Sequence, residues 1–424
     1  MSTPTATHYR DEQLFMEDLP LSDIAAAVGT PVYVYSKAYI TQQITALQAA
    51  FARTPLRIHY SVKANSNLAI LALLRDLGAG FDIVSSGELH RVLAAGGDSS
   101  TIVFSGVGKQ VEEIDLALKL GIACFNVESE QELQRISARA AILGVAAPVS
   151  IRVNPNVDAQ THPYISTGLK RNKFGVPHDT AMAMYRSAHN DPNLTVTGID
   201  CHIGSQITDI SPLLESLSII LTMVDDLASE GIALDHIDLG GGMGVTYENE
   251  TPLHFEDYGA GVSQLMASRK QAIVLEPGRS IVANAGVLLT RVEYLKQGQA
   301  PSDPRFAVVD AAMNDLIRPA LYQAFHNISE VSLRPGVTPS EWQVVGPICE
   351  SGDFLGHDRN LAISEGDLLC VNSAGAYGFV QASNYNSRNR AAEVLVDGDT
   401  FTVVRRRETI EDQIRLERQP LLQL

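Results

Sequence analysis

Eight short runs rich in β-branched residues mark the first two thirds of the chain, and stretches with helical apolar spacing separate most of them. The runs are Arg57–Lys63, Phe81–Ser85, Thr101–Ser105, Ala123–Val127, Val149–Asn154, Val196–His202, His236–Leu239 and Ala272–Glu276. Between them, Ser66–Leu77, Glu88–Ala95, Val111–Leu120, Ser129–Leu143 and Pro212–Glu230 place apolar residues at i, i+3 and i+4, the spacing of a helix with one buried face. Strand and helix alternating this regularly make parallel βαβ units, and eight repeats favour a closed (β/α)8 barrel of the TIM type over an open sheet. After Val287 the rhythm turns to strand-like alternation broken by Gly, Pro, Asp and Asn turns, which predicts a second, mainly antiparallel β domain. The expected organisation is therefore α/β: residues 1–35 as an N-terminal segment whose Pro31–Tyr35 run (PVYVY) joins the β domain, 36–286 as the barrel, and 287–424 as the β domain. One stretch breaks the alternation. Asp158–Val176 is polar and Gly-rich, and reads as a surface element near the barrel mouth.

Charge and composition narrow what such a barrel can bind. A formal charge of −17 over 424 residues repels polyanions, so neither nucleic acid nor an anionic membrane is an expected partner, and any bound anion must be captured locally. No apolar run approaches the length of a membrane span, and the segment Met1–Pro20 lacks the basic and apolar regions of a secretory signal, which predicts a cytoplasmic protein. The four cysteines, Cys124, Cys201, Cys349 and Cys370, lie far apart with no C-x-x-C pair, so no metal site and no disulfide framework is expected.

Polar residues and glycines crowd the C-terminal ends of the predicted strands, the face on which barrels carry chemistry. Lys63, in Tyr60–Asn65 (YSVKAN), closes a strand otherwise fit for burial. Removing an ammonium from water is costly, and a lysine so placed serves as a nucleophilic amine, although a surface lysine ending a strand fits the spacing as well. Gly240, Gly241 and Gly242 follow the seventh strand and offer backbone N–H groups to a phosphate; alone, such a run is as readily a tight turn, and no dinucleotide fingerprint accompanies it. Phosphate sites in barrels commonly use the loops after the last two strands, here this run and Glu276–Arg279, which contains Gly278 and Arg279. Glu276 ends an apolar strand and needs a cationic partner. A protonated pyridine nitrogen is one candidate, and a structural pair with Arg279 is another. His202 and Ser205, after the sixth strand, are placed for a cofactor ring and its phosphate respectively, while a lone histidine there also suits a purely structural role.

With these residues in view, the chain resembles the barrel-type pyridoxal-phosphate decarboxylases, specifically the diaminopimelate decarboxylase family. The resemblance runs from about His8 to Val396 and is carried by YSVKAN at Tyr60–Asn65, by His162–Gly168 with Lys173–Gly175, by Glu276–Arg279 (EPGR), by Met313–Tyr322 (MNDLIRPALY), by Gly346–Asp353 (GPICESGD) and by Gly375–Gly378 (GAYG). The Arg318 block and Asn384–Arg388 (NYNSR) separate it from ornithine-type relatives. Ser61, where alanine is expected, and Asn389, where proline is common, depart from the pattern without touching an implied role. The resemblance implies that Lys63 carries pyridoxal 5'-phosphate, that Glu276 pairs with its ring nitrogen, and that the glycine run, Gly278, Arg279 and Tyr377 hold its phosphate. It further implies that Arg279, Arg318 and Tyr322 bind the substrate's distal carboxylate, that Glu350 pairs with the distal ammonium, that Tyr377 also lines the substrate site, and that Cys349 returns a proton to the carbon that loses CO2. Two guanidiniums suit a carboxylate, which planar forks bind in bidentate fashion. The implied reaction is decarboxylation of meso-2,6-diaminopimelate to L-lysine and CO2, the last step of bacterial lysine biosynthesis, in a homodimer with shared active sites. A decarboxylase of the same fold acting on D-lysine, D-ornithine or carboxynorspermidine is the nearest alternative.

Overall fold

The computed structural model describes residues 6–157, 173–300 and 302–421. The chain divides into two compact units. One comprises Gln43–Val245 and Thr251–Ser280, and the other the described residues up to Gln42, Thr246–Glu250, and those from Ile281 on.

The first unit is a closed barrel of eight parallel strands: β1 Leu56–Ser61, β2 Gly80–Ile83, β3 Ile102–Phe104, β4 Cys124–Val127, β5 Ala147–Arg152, β6 Leu194–Asp200, β7 His236–Asp238 and β8 Ala272–Leu275. Neighbours pair in sequence order, and β8 closes onto β1 through Ile273 opposite Leu56 and Leu275 opposite Ile58. All eight predicted strands are present at their predicted places. Every residue of β2, β3 and β4 is buried, which is why these strands read as unbroken apolar runs without inside–outside alternation. Three of the intervening helices begin where the sequence supplies a side-chain cap. The Asn67 side chain accepts from the Ala69 N–H, Ser85 from Glu88 and Ser129 from Glu132, satisfying amide groups that a helix start leaves without partners. The side chain of Tyr185, on the helix His178–His189, is buried against the barrel and donates to the Gly198 carbonyl at 2.8 Å. Of the expected surface element at 158–176, residues 158–172 lie outside the described part of the chain, as does the His162–Gly168 motif.

In the second unit the long strand Gly286–Lys296 is the hub. It pairs antiparallel with Val32–Ser36, Phe306–Val309 and Leu368–Val371. Val32–Ser36 is the predicted N-terminal strand, and it lies parallel to Ala392–Asp397 on its other side. Ser340–Val345 also runs parallel to Phe306–Val309, so the sheet is mainly but not wholly antiparallel. Tyr33 and Tyr35 from the buried strand stack on one another, and Tyr35 donates to the Glu393 carboxylate at 2.8 Å. Among the described residues no helix is long and apolar enough to cross a membrane.

Candidate active site

Besides Glu128 after β4, each barrel strand contributes one buried polar residue at or beside its C-terminal end. In order these are Ser61, Asp82, Ser105, Asn126, Arg152, Asp200, Asp238 and Glu276. Hydrogen bonds join them across the interior. Ser61 Oγ lies 3.0 Å from Asp82 Oδ2 and from the Glu276 carbonyl oxygen, alternative acceptors for its single proton. Asn126 Nδ2 reaches Ser105 Oγ at 3.2 Å, and Asp238 Oδ2 and Glu276 Oε1 at 3.4 Å each. Lys63 stands on the short 3-10 turn Val62–Ala64 that follows β1, with Nζ 2.9 Å from Asp82 Oδ2. Arg152 is held between Glu128 at 2.9 Å and Asp200 at 3.7 Å.

Carboxylates outnumber cations in this ring. Glu276 is pushed well above the usual carboxylate range by its burial and then by the charges of Asp238, Asp82 and Asp200, with Lys63 opposing the shift. Asp200 is likewise raised by burial and by Asp238, and Asp238 is raised to about 6, again with burial first among the causes. The structure places Glu276 among three aspartates, a surrounding that its own strand does not reveal. The overlooked signal is a lone Asp inside each of three apolar runs, Phe81-Asp82-Ile83, Ile199-Asp200-Cys201 and Ile237-Asp238-Leu239.

The loops after β6, β7 and β8 pack backbone against backbone. A Cβ added to Gly241 would lie 2.2 Å from the Glu276 carbonyl oxygen, and one on Gly242 would lie 2.6 Å from that of Gly204. Only glycine lets these turns approach so closely. Two amides of the run have partners within the protein: Gly240 N–H donates to Asp238 Oδ1 at 2.9 Å and Gly241 N–H to His202 Nδ1 at 3.2 Å. This narrows the expectation for the run, since Gly240 and Gly241 shape the cradle while contact with an anion would fall to Gly242 and the opposing loop. His202, as acceptor from Gly241, carries its proton on Nε2. Burial, then Arg152 and Lys63, hold its pKa well below the ordinary value, so the ring is neutral. Arg279 Nη2 donates to Ser205 Oγ at 3.0 Å, which brings those two predicted phosphate residues together, and Gly278 is close-packed on Ala64 and Ser61 beside Lys63.

These residues fit pyridoxal phosphate. Among the described residues Glu276 forms no ion pair, and a protonated ring nitrogen would supply the cation; Lys63 provides the amine, and the glycine cradle with Arg279 provides phosphate donors.

The remaining predicted site residues belong to the second unit. Arg318 and Tyr322 open and close the short helix Arg318–Tyr322. Asp353, buried, accepts from Met313 N–H at 2.7 Å and Ile348 N–H at 2.8 Å, tying the MNDLIRPALY loop to the GPICESGD loop. Cys349 and Glu350 are exposed. The Cys349 N–H donates to Asn386 Oδ1 at 2.9 Å, and Glu350 accepts a short hydrogen bond from the Tyr385 hydroxyl, so the NYNSR run orients both. Tyr377 takes a left-handed backbone conformation, φ 56°, uncommon for a non-glycine residue.

Comparison with known proteins agrees with this geometry. Residues 37–283 match the family model for the pyridoxal-dependent decarboxylase, pyridoxal binding domain. The chain is 58% identical over 404 residues to the diaminopimelate decarboxylase of Pseudomonas aeruginosa, covering 95% of this chain and 96% of that one. It is 55% identical over 401 residues to that of Neisseria meningitidis, covering 95% and 98%. Its fold superposes with a TM-score of 0.90 on the crystal structure of diaminopimelate decarboxylase from Helicobacter pylori complexed with L-lysine, at 43% identity, covering 94% of this chain and 100% of that one. The chain therefore belongs to the diaminopimelate decarboxylase family of pyridoxal-dependent decarboxylases.

Proposed function

We propose that the chain removes CO2 from meso-2,6-diaminopimelate to yield L-lysine, the last step of bacterial lysine biosynthesis, with pyridoxal 5'-phosphate carried on Lys63. The observation that carries this reading is the polar ring, which sets the amine of Lys63 and the buried acid Glu276 into one barrel mouth through their shared neighbour Asp82. When bound there, the cofactor supplies an electron sink for the pair of electrons that departing CO2 leaves behind.

The chain's own residues do the rest. Lys63 holds the cofactor's aldehyde end, and Asp82 fixes the Lys63 side chain through its 2.9 Å contact. Glu276 keeps the ring nitrogen charged, and Asn126 with Ser105 orients its Oε1. Neutral His202 offers a ring face without adding charge to the cluster. Gly242, Gly278, Arg279, Ser205 and Tyr377 hold the phosphate. Arg279, Arg318 and Tyr322 bind the distal carboxylate and Glu350 the distal ammonium. Cys349 holds at Sγ the proton returned to the carbon that lost CO2. A substrate without the far carboxylate would leave guanidinium donors unmatched, a penalty on the order of 1–3 kcal/mol per buried group.

Cys349 and Glu350 lie at the surface of a single chain, whereas both assigned roles need a site closed to water. This supports a homodimer in which each site is completed by the partner, and the net charge of −17 disfavours a nucleic-acid partner. The test is a substrate profile of the purified protein. Release of CO2 and L-lysine from meso-diaminopimelate should outpace turnover of D-lysine, D-ornithine and carboxynorspermidine, and faster turnover of any of those three would overturn the assignment.

A further inference from the structure

His326 is fully buried, and its ring touches the arginine assigned to the distal carboxylate. Arg318 Nε donates to His326 Nε2 at 3.3 Å, while His326 Nδ1 lies 2.9 Å from the Asn372 carbonyl oxygen. A carbonyl only accepts, so the imidazole proton sits on Nδ1; a guanidinium only donates, so Nε2 presents its lone pair. The two partners together specify a single neutral tautomer. Tyr247 adds a third restraint. Its ring meets His326 edge-on, with centroids 5.4 Å apart and planes at 77°, and the Arg318 guanidinium carbon lies 4.9 Å from the Tyr247 centroid. Arg318 is itself buried, so its orientation is set by packed neighbours, His326 and Tyr247 among them, and not by solvent.

An arginine can grip a carboxylate in two bidentate ways, side-on through Nε and one terminal nitrogen, or end-on through both terminal nitrogens. His326 occupies Nε, which removes the side-on mode, and Tyr247 lies against the guanidinium face. We propose that His326, supported by Tyr247, is a specificity-positioning residue that presents the terminal nitrogens of Arg318 end-on to the distal carboxylate of the substrate. The inference rests on the reading of Arg318 given above. Neither His326 nor Tyr247 need touch substrate or cofactor. What they determine is whether a substrate bearing that carboxylate is distinguished from one without it.

The test uses the holoenzyme and reads KM and kcat for meso-diaminopimelate together with the affinities for L-lysine, which has the distal carboxylate, and cadaverine, which lacks it. In His326→Phe, which keeps a ring of similar size but neither nitrogen, KM and the L-lysine dissociation constant should both rise about tenfold, a change of about 1.4 kcal/mol, with kcat and cadaverine affinity nearly unchanged. His326→Gln, whose amide can accept from Nε and donate to the Asn372 carbonyl, should recover most of that loss. Should His326→Phe fail to fold, Tyr247→Leu carries the test, with a smaller rise in the same two constants. Unchanged constants, a parallel loss of cadaverine affinity and kcat, or a glutamine variant no better than phenylalanine would overturn the inference. Arg318→Ala separates the two readings. If it leaves L-lysine affinity intact, the assignment of Arg318 itself fails; if it weakens L-lysine binding while the His326 variants do not, only the positioning role fails.

Discussion

Glu276 and Asp238 share one buried pocket, and their proton is the most consequential in the molecule. Burial is the largest cause of both upward shifts, which favour the neutral acid at Glu276 until a cation faces it; a protonated ring nitrogen opposite would restore the carboxylate. In Glu276→Gln the ring nitrogen loses its anionic partner, and kcat should fall on the order of 10²- to 10³-fold, as when a preorganised electrostatic group is removed, with cofactor still bound. Steady-state kinetics on the reconstituted variant checks this. Asp238 makes a separate prediction about stability. Its folded pKa, about 6, lies above its ordinary 3.8, so the folded state binds the proton more tightly than the unfolded chain does. The stabilisation is complete below the ordinary value and is lost as pH rises through about 6. Asp238→Asn, which keeps an acceptor for the Gly240 N–H, has no such loss. The stability of the cofactor-free variant relative to the parent should therefore grow with pH across that window in urea unfolding, and parallel curves would contradict the argument. At this scale the sequence disclosed Lys63 and Glu276 because each stands out against an apolar strand. Asp200, Asp238 and His326 stayed hidden, since only barrel closure brings the first two beside Glu276, and only the fold of the second unit sets His326 on Arg318.

Among the elements, the tight turn after β7 tolerates little change. Gly241→Ala would drive a methyl group to 2.2 Å from the Glu276 carbonyl oxygen, a backbone atom that cannot swing aside. Overpacking of this kind costs about 1–3 kcal/mol, and here it also displaces the loop bearing Glu276. Denaturant unfolding should show that loss, together with weaker binding of pyridoxal phosphate by the cofactor-free protein. The barrel strands were legible as short β-branched runs, unbroken where burial is complete as in β2, β3 and β4, and the helices because apolar spacing and caps such as Ser85 and Ser129 mark them. The second unit's sheet was harder to read. It sets Val32–Ser36 between Gly286–Lys296 and Ala392–Asp397, strands hundreds of residues away in the chain, and local periodicity carries no information about such pairing.

At the scale of the whole molecule, the roles proposed above fall on residues of both units. Lys63 and Glu276 come from the barrel, and Cys349, Glu350 and Arg318 from the β-rich unit. If sites are shared between subunits, Lys63→Ala and Cys349→Ala proteins, each inactive alone, should regain activity when mixed and allowed to exchange subunits, because mixed dimers hold one intact site. No recovery despite demonstrated exchange would exclude sharing. The most direct test of the central claim is borohydride reduction of the holoenzyme, which makes the lysine–cofactor link permanent, followed by peptide mass mapping. The account predicts the reduced cofactor on the peptide containing Lys63 and no labelling in Lys63→Ala. A label on any other lysine, or none on wild-type holoenzyme, would contradict it.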